Sequence, residues 1–240
     1  MPDFNRTEHS ALRVNTAINV LLEQGAHADP ERTRNYLGAS AVGHPCMRQI
    51  QFTWLCDPTH ALRTRDIFAR GHFFESQTRE HFARAGFTFA EPDRLAFEAL
   101  DGWLRGHADG IFVDGPAIPG VKYPCLWENK CINSKGWRSL DRDGIEKIYP
   151  QYSAQVAIYQ NFLGTDDHPA IFTCVNADTC ERLHLLVPFD AERARTWIER
   201  TQTTANCYRD SPRTPIIGVA NYAAIKSGAG DEYRAGSGET

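Results

Sequence analysis

The order of hydrophobic patterns along this chain predicts an α/β (α+β) fold, a mixed central β-sheet flanked by helices. Three observations carry that prediction. Residues 64–85 place Ile67, Phe68, Phe74, Thr78, Phe82 and Ala85 at helical spacing, and Gly86 closes the run. From Leu95 to Ile132, three apolar or alternating stretches follow one another with turn signals between them. Beyond these, a helical stretch from Pro150 to Leu163 leads into two short runs of strand character. A helix, three meandering strands, a helix and a further strand is an order that buries a sheet beneath helices.

Each element has a local reason. Leu12, Ala17, Ile18, Leu21 and Leu22 recur at helical spacing within residues 10–23 before Gly25 and Pro30 interrupt, so a helix should precede the core. Ser40 to Trp54 reads as a loop with Gly43 and Pro45 leading into an apolar-polar stretch. Leu95–Leu100 alternates, Asp101-Gly102 is a hairpin turn, and Trp103–Val113 reads as a single returning strand. Asp114-Gly115-Pro116 opens a loop, and Cys125–Ile132 is a third, mostly apolar strand. Helices are expected over residues 136–143, 150–163 and 191 to about 208, with strands over 170–175 and 183–187. The stretch Lys226–Thr240, rich in Gly, Ser and charge, reads as a flexible tail. The expected organisation is one domain over residues 1–225, with a helical N-terminal extension, and a tail over 226–240.

Composition narrows the function. The 240 residues are 42% hydrophobic and 23% charged, ordinary globular proportions. No apolar run approaches the ~18 residues of a membrane helix, and residues 1–6 lack a signal-peptide pattern. The chain therefore reads as cytoplasmic, with no membrane partner, and its seven cysteines as reduced thiols. At a formal net charge of −4, any binding of a polyanion must use a local basic surface, with metal ions screening the phosphates. Arginine outnumbers lysine 21 to five, yet Lys122, Lys130, Lys135 and Lys147 fall within 26 residues.

The chemistry concentrates where those lysines begin. Gly106-His107-Ala108-Asp109-Gly110 lies on the second predicted strand and Glu128-Asn129-Lys130 on the third. Residues two apart on a strand share a face, so Glu128 and Lys130 project together, and Asp109 can join them if the strands are neighbours. Two carboxylates offer hard oxygen ligands for Mg²⁺ or Mn²⁺, which acidifies a bound water and polarises a phosphoryl oxygen. Lys130 could orient or deprotonate that water, or stabilise charge on the reacting phosphorus; an arginine could not act as the base. On the 64–85 helix, His72 and Glu75 are three apart and adjacent, offering one more carboxylate or an imidazole. Gln155 and Tyr159, four apart, share a face of the helix that begins at Pro150. Ser40, Gly43, Cys46 and Arg48, with His44 nearby, have the residue types that grip a phosphate.

In this order, Gly71–Glu75, Gly106–Gly110, Glu128-Asn129-Lys130 and Gln155…Tyr159 resemble the PD-(D/E)XK nuclease superfamily, in particular its RecB-like and phage-exonuclease branch. The resemblance spans about Ser40 to Leu186 and implies a restriction-endonuclease-like αβββαβ core. It implies a metal-dependent DNA nuclease, an exonuclease of phage or recombination type that hydrolyses phosphodiester bonds with a metal-activated water. Asp109, Glu128 and the Asn129 carbonyl would then hold one or two Mg²⁺ or Mn²⁺ ions, with Glu75 or His72 completing the set. Lys130 would act on the water, and Gln155 would support the site. Ser40, Arg48, Lys135, Trp137 and Tyr159 would meet the nucleic acid, and a recombination or annealing protein would be a natural partner. Asp109 stands in Ala-Asp-Gly rather than after proline, as is usual for the RecB-like branch.

Two alternatives belong beside this reading. One is a catalytically inactive nucleic-acid-binding module of the same fold. The other is a RecB-like nuclease carrying an iron-sulfur cluster, against which the wide spacing of Cys174, Cys180 and Cys207 argues. His44, Cys46, Cys56 and His60 have donor types for zinc at an unfamiliar spacing. Walker A, Gly-x-Gly-x-x-Gly and Gly-x-Ser-x-Gly signatures are absent, which removes ATPase, dinucleotide-binding and serine-hydrolase readings.

Overall fold

The computed structural model describes residues 9–27, 36–47, 49–50 and 60–210. Arg48, Cys56, the Cys207 side chain and the tail over 226–240 lie outside what is described. Helix α1 (His9–His27) precedes the short strand β1 (Leu37–Gly38), helix α2 (Ala39–Val42) and the long helix α3 (Leu62–Arg84). Next come β2 (Thr88–Phe89), β3 (Ala96–Ala99), β4 (Leu104–His107), β5 (Gly110–Asp114) and β6 (Cys125–Ile132). Helices α4 (Ser134–Asp143), α5 (Ile145–Ile148) and α6 (Pro150–Leu163) follow, then β7 (Ala170–Asn176), β8 (Arg182–Val187) and α7 (Ala191–Asp210). This is the predicted α/β class, with helices flanking mixed sheets.

Several boundaries have plain local causes. Pro150 occupies the first turn of α6, where its missing N–H costs nothing, and Gly164 ends the helix in the left-handed region at φ 63°. Asn133 caps α4, its Oδ1 accepting from the Gly136 N–H at 2.9 Å. Residues Ser153 to Gln160 of α6 are all buried, so this helix sits inside the molecule.

The strands form two sheets. β2-β5-β6-β7-β8 is the larger, and β1-β4-β3 the smaller. β6 and β7 run parallel, with Glu128 opposite Phe172, while β5–β6 and β7–β8 are antiparallel. The main core, including Leu126, Ile158, Phe172 and Leu104, lies on the α6 side. A second cluster of Phe87, Phe112, Cys125, Trp127 and Ile171 lies on the other side, against Phe82 of α3. Burial of each such ring contributes about 1.5–3 kcal/mol. Arg182 of β8 ties α3 down by donating to the Thr78 hydroxyl at 3.3 Å and the Gln77 side-chain Oε1 at 3.0 Å.

Three expectations change. The returning strand Trp103–Val113 is two strands in two sheets: β4 pairs with β3, β5 pairs with β6, and the chain bends between them at Ala108-Asp109. Ser40 lies on helix α2 rather than in a loop. There α2 packs on α6 so closely that a Cβ at Gly43 would sit 2.5 Å from the Gln151 Cα. Of the stripe on the long helix, Phe74 and Thr78 are buried and Phe82 half-buried, while Ala85 is exposed. Ile67 and Phe68 are 42% and 50% exposed, and Val14, Ile18, Leu21 and Leu22 of α1 are 50% to 66% exposed.

Candidate active site

The bend between the two sheets is the origin of the site. Asp109 belongs to neither ladder, and from that corner its Oδ2 accepts the Asn129 main-chain N–H at 2.7 Å. Alternation on β6 then turns Glu128 and Lys130 toward the same side. Lys130 Nζ donates to Glu128 Oε1, which also receives Gln155 Nε2 at 2.8 Å from α6. Gln155 Nε2 lies 3.2 Å from the Tyr159 hydroxyl, which in turn donates to the His107 carbonyl at 3.0 Å. A short chain of hydrogen bonds thus runs from the Glu128 carboxylate through α6 to the residue two before Asp109. The glycine of the Gly106-His107 step is required there, since a Cβ at Gly106 would collide with the Phe97 and Tyr159 rings.

These groups open onto one cleft of about 750 Å³. Its walls include Glu75, His72, Asp109, Glu128, Lys130, Gln155, Tyr159 and Ser40. The structure brings the carboxylates of Glu75, Asp109 and Glu128 and the ammonium of Lys130 to this one place.

The charge is unbalanced. Glu128 is 1% exposed, and its Oε2 has no hydrogen-bond partner. Burial and the neighbouring Asp109 push its carboxyl up to about 8. Burial likewise raises Asp109, against the pull of Lys130 and the Asn129 N–H. Glu75 is raised by burial and by Asp109, with His72 3.5 Å away working the other way. Burial alone would lower Lys130, but Glu128 and Asp109 outweigh it and hold its pKa above the ordinary lysine value. Three carboxylates share one ammonium, which is the environment a divalent cation relieves.

Hard oxygen donors with a buried, unpartnered carboxylate oxygen fit Mg²⁺ or Mn²⁺. No three His, Cys, Asp or Glu side chains form a ready ligand set among the described residues. Asp109 and Glu128 would therefore supply the protein ligands together with main-chain oxygen and water, as Mg²⁺ commonly accepts.

Solved structures share this architecture. An alkaline exonuclease from Laribacter hongkongensis superposes with a TM-score of 0.55 at 14% identity, covering 83% of this chain and 96% of that one. The same exonuclease in complex with dAMP matches with a TM-score of 0.53 at 15% identity, over 81% and 94%. The likeness is one of fold. No protein-family model matches the chain, and no curated protein matches it by sequence.

Other predicted residues take different places. The Asn129 side chain lies on the opposite face of β6 from Glu128, buried with both amide atoms unpartnered, so this position reaches the site through its main chain. Tyr159 lines the cleft at 4% exposure, with its hydroxyl donating to the His107 carbonyl. Trp137 is partly buried on the main core and donates its indole N–H to the Cys174 carbonyl at 3.2 Å. Lys135 is exposed on α4 and outside the cleft wall. Cys174 is buried, its thiol pushed up to about 12, and Cys180 is exposed in the β7–β8 turn.

Sequence reasoning missed Arg105 and Arg79. Arg105 lines the cleft, 2.9 Å from Glu98 and over the Tyr36 ring. Arg79 donates to the Asp109 carbonyl. Its one sequence signal is its spacing of four from Glu75.

Proposed function

We propose that this chain is a Mg²⁺- or Mn²⁺-dependent deoxyribonuclease that hydrolyses phosphodiester bonds, acting as an exonuclease. The observation that carries the reading is the buried, unpartnered Oε2 of Glu128 beside Asp109 on the wall of an open cleft. A bound divalent ion would polarise a phosphoryl oxygen and acidify a water there. Asp109 and Glu128 would hold it, with Glu75 able to join through water.

The chain's own residues do the rest. Lys130, kept protonated by its two carboxylate neighbours, serves as a hydrogen-bond donor and fixed positive charge for the reacting phosphate and its water. That favours charge stabilisation over proton abstraction for this lysine. Gln155 fixes the Glu128 carboxylate, and Tyr159 fixes Gln155 against the strand that leads to Asp109. Ser40 and Arg105 stand on the cleft wall where the nucleic-acid backbone would pass. The shared fold with an enzyme described as an exonuclease, one structure of which is a dAMP complex, supports DNA as substrate and digestion from ends.

End-labelled linear DNA and closed circular DNA, incubated under identical conditions with Mg²⁺, Mn²⁺ or EDTA, test the proposal. Metal-dependent loss of the linear substrate with the circle intact is the expected result. Cleavage of the circle would make the protein an endonuclease. Binding without cleavage under any metal would make it an inactive nucleic-acid-binding module.

A further inference from the structure

Asp109 stands where the chain leaves one sheet for the other, and its carbonyl is held from outside both. On one side, the Ala108 N–H is taken by the Leu95 carbonyl at 2.8 Å; on the other, Gly110 pairs with Trp127. The Asp109 carbonyl between them accepts Arg79 Nη1 at 2.9 Å. The Arg79 guanidinium is itself fixed, 4.0 Å above the centre of the Phe89 ring, and that ring packs against Phe112 and Trp127. Arg79 sits one helical turn beyond Glu75, on the same side of α3. One side chain therefore locks the aspartate's backbone and sets how far along α3 the Glu75 carboxylate lies from it.

Resting on the nuclease reading, we infer that Arg79 is the positioning residue of the cation site. It fixes Asp109, and Glu75 relative to it, so that a divalent ion held by Asp109 and Glu128 meets preorganised carboxylates. Arginine suits this task, since its planar fork can stack on Phe89 and donate in-plane at once, which an ammonium cannot. Groups that orient metal ligands typically change metal affinity by about 10- to 100-fold when removed.

Titration of the protein with Mn²⁺ alone, by calorimetry, tests the inference without reference to activity. Arg79→Ala is expected to weaken Mn²⁺ binding by about 10- to 100-fold, and Arg79→Lys and Phe89→Leu by less. Arg84→Ala, further along the same helix where it loses only an exposed ion pair with Glu80, is expected to leave Mn²⁺ affinity unchanged. Thermal unfolding with and without Mn²⁺ separates positioning from plain structural support. A positioning role shrinks the Mn²⁺-induced rise in Tm, whereas a structural one lowers both values equally. Wild-type affinity in Arg79→Lys and Phe89→Leu, or equal loss of Tm in both conditions, overturns the inference. If Asp109→Ala binds Mn²⁺ as tightly as the wild type, the nuclease reading fails, and the inference with it.

Discussion

Trp127 and Glu128 are consecutive residues on β6, both fully buried, and the surroundings of one are finished while those of the other are not. Trp127 packs edge-on against Phe82 and Phe89, and its indole N–H donates to the Thr173 hydroxyl at 2.9 Å. Thr173 in turn shares a hydrogen bond of 3.0 Å with His184 Nδ1. On that side of the strand apolar area and polar groups close on one another, as a core does. Glu128 faces the opposite side with one oxygen doubly hydrogen-bonded and the other bare, in a wall with two more carboxylates. Such a residue is costly in a protein interior, and its carboxyl responds by holding its proton up to a pH of about 8. On the proposed function, one face of β6 serves stability and the other chemistry.

Exchanging charge for none on the Glu128 face gives the sharpest break. Glu128→Gln should reduce DNA cleavage to the level seen in EDTA while leaving Tm unchanged or raised. Lys130→Ala should cut cleavage by about 10²–10³-fold with DNA binding retained, as a gel-shift titration would read. A variant that unfolds instead would mean that both faces are structural. On the other face, Trp127→Ala should cost about 3–5 kcal/mol in urea unfolding, and any loss of activity should follow the folded fraction. Thr173→Val, which strands the indole N–H, should cost about 1–3 kcal/mol without changing Mn²⁺ affinity. Tyr159→Phe removes the hydroxyl between Gln155 and His107 and should lower kcat about tenfold, equivalent to ~1.4 kcal/mol, with KM little changed.

Acid offers the finest discrimination, because the faces respond with opposite sign. The Glu128 carboxyl is raised in the folded state to about 8, by burial and Asp109. Its contribution to stability is therefore full below the unfolded value of about 4.5 and lost as pH rises through about 8. His184 is lowered by burial and by Arg182, so its contribution is full above about 6.5 and lost as pH falls. Tm measured from pH 5 to 9 should show Glu128→Gln gaining on the wild type toward alkaline pH. His184→Gln should gain on it toward acid pH. Parallel curves for all three proteins would erase the distinction.

Much of this was legible before the fold was known. Cys125–Ile132 and Pro150–Leu163 are strand and helix over the ranges the sequence marks, because a short apolar run, a proline at the start and a glycine past the end act locally. Glu128 and Lys130 share a face because side chains alternate along a strand. The bend at Ala108-Asp109 was not legible, since apolar residues continue on both sides of it and only pairing with different partners separates β4 from β5. That the polar atoms of Tyr159 and Trp137 bond backbone carbonyls was not legible either, because an aromatic residue carries no sign of which partner its polar atom will find. Arg79 was indistinguishable from its exposed neighbours on α3.

The sequence alone determined which residues form helix and strand and which side chains share a face. Those properties depend on neighbours within about four residues, and steric and hydrogen-bonding rules act at that range. Only the tertiary structure decided that Asp109 turns out of one sheet at the edge of another, that Glu128 is buried with an oxygen to spare, and that an arginine on α3 holds the corner in place. Burial and charge coupling are set by segments distant in the chain, and no local pattern encodes which of them will meet.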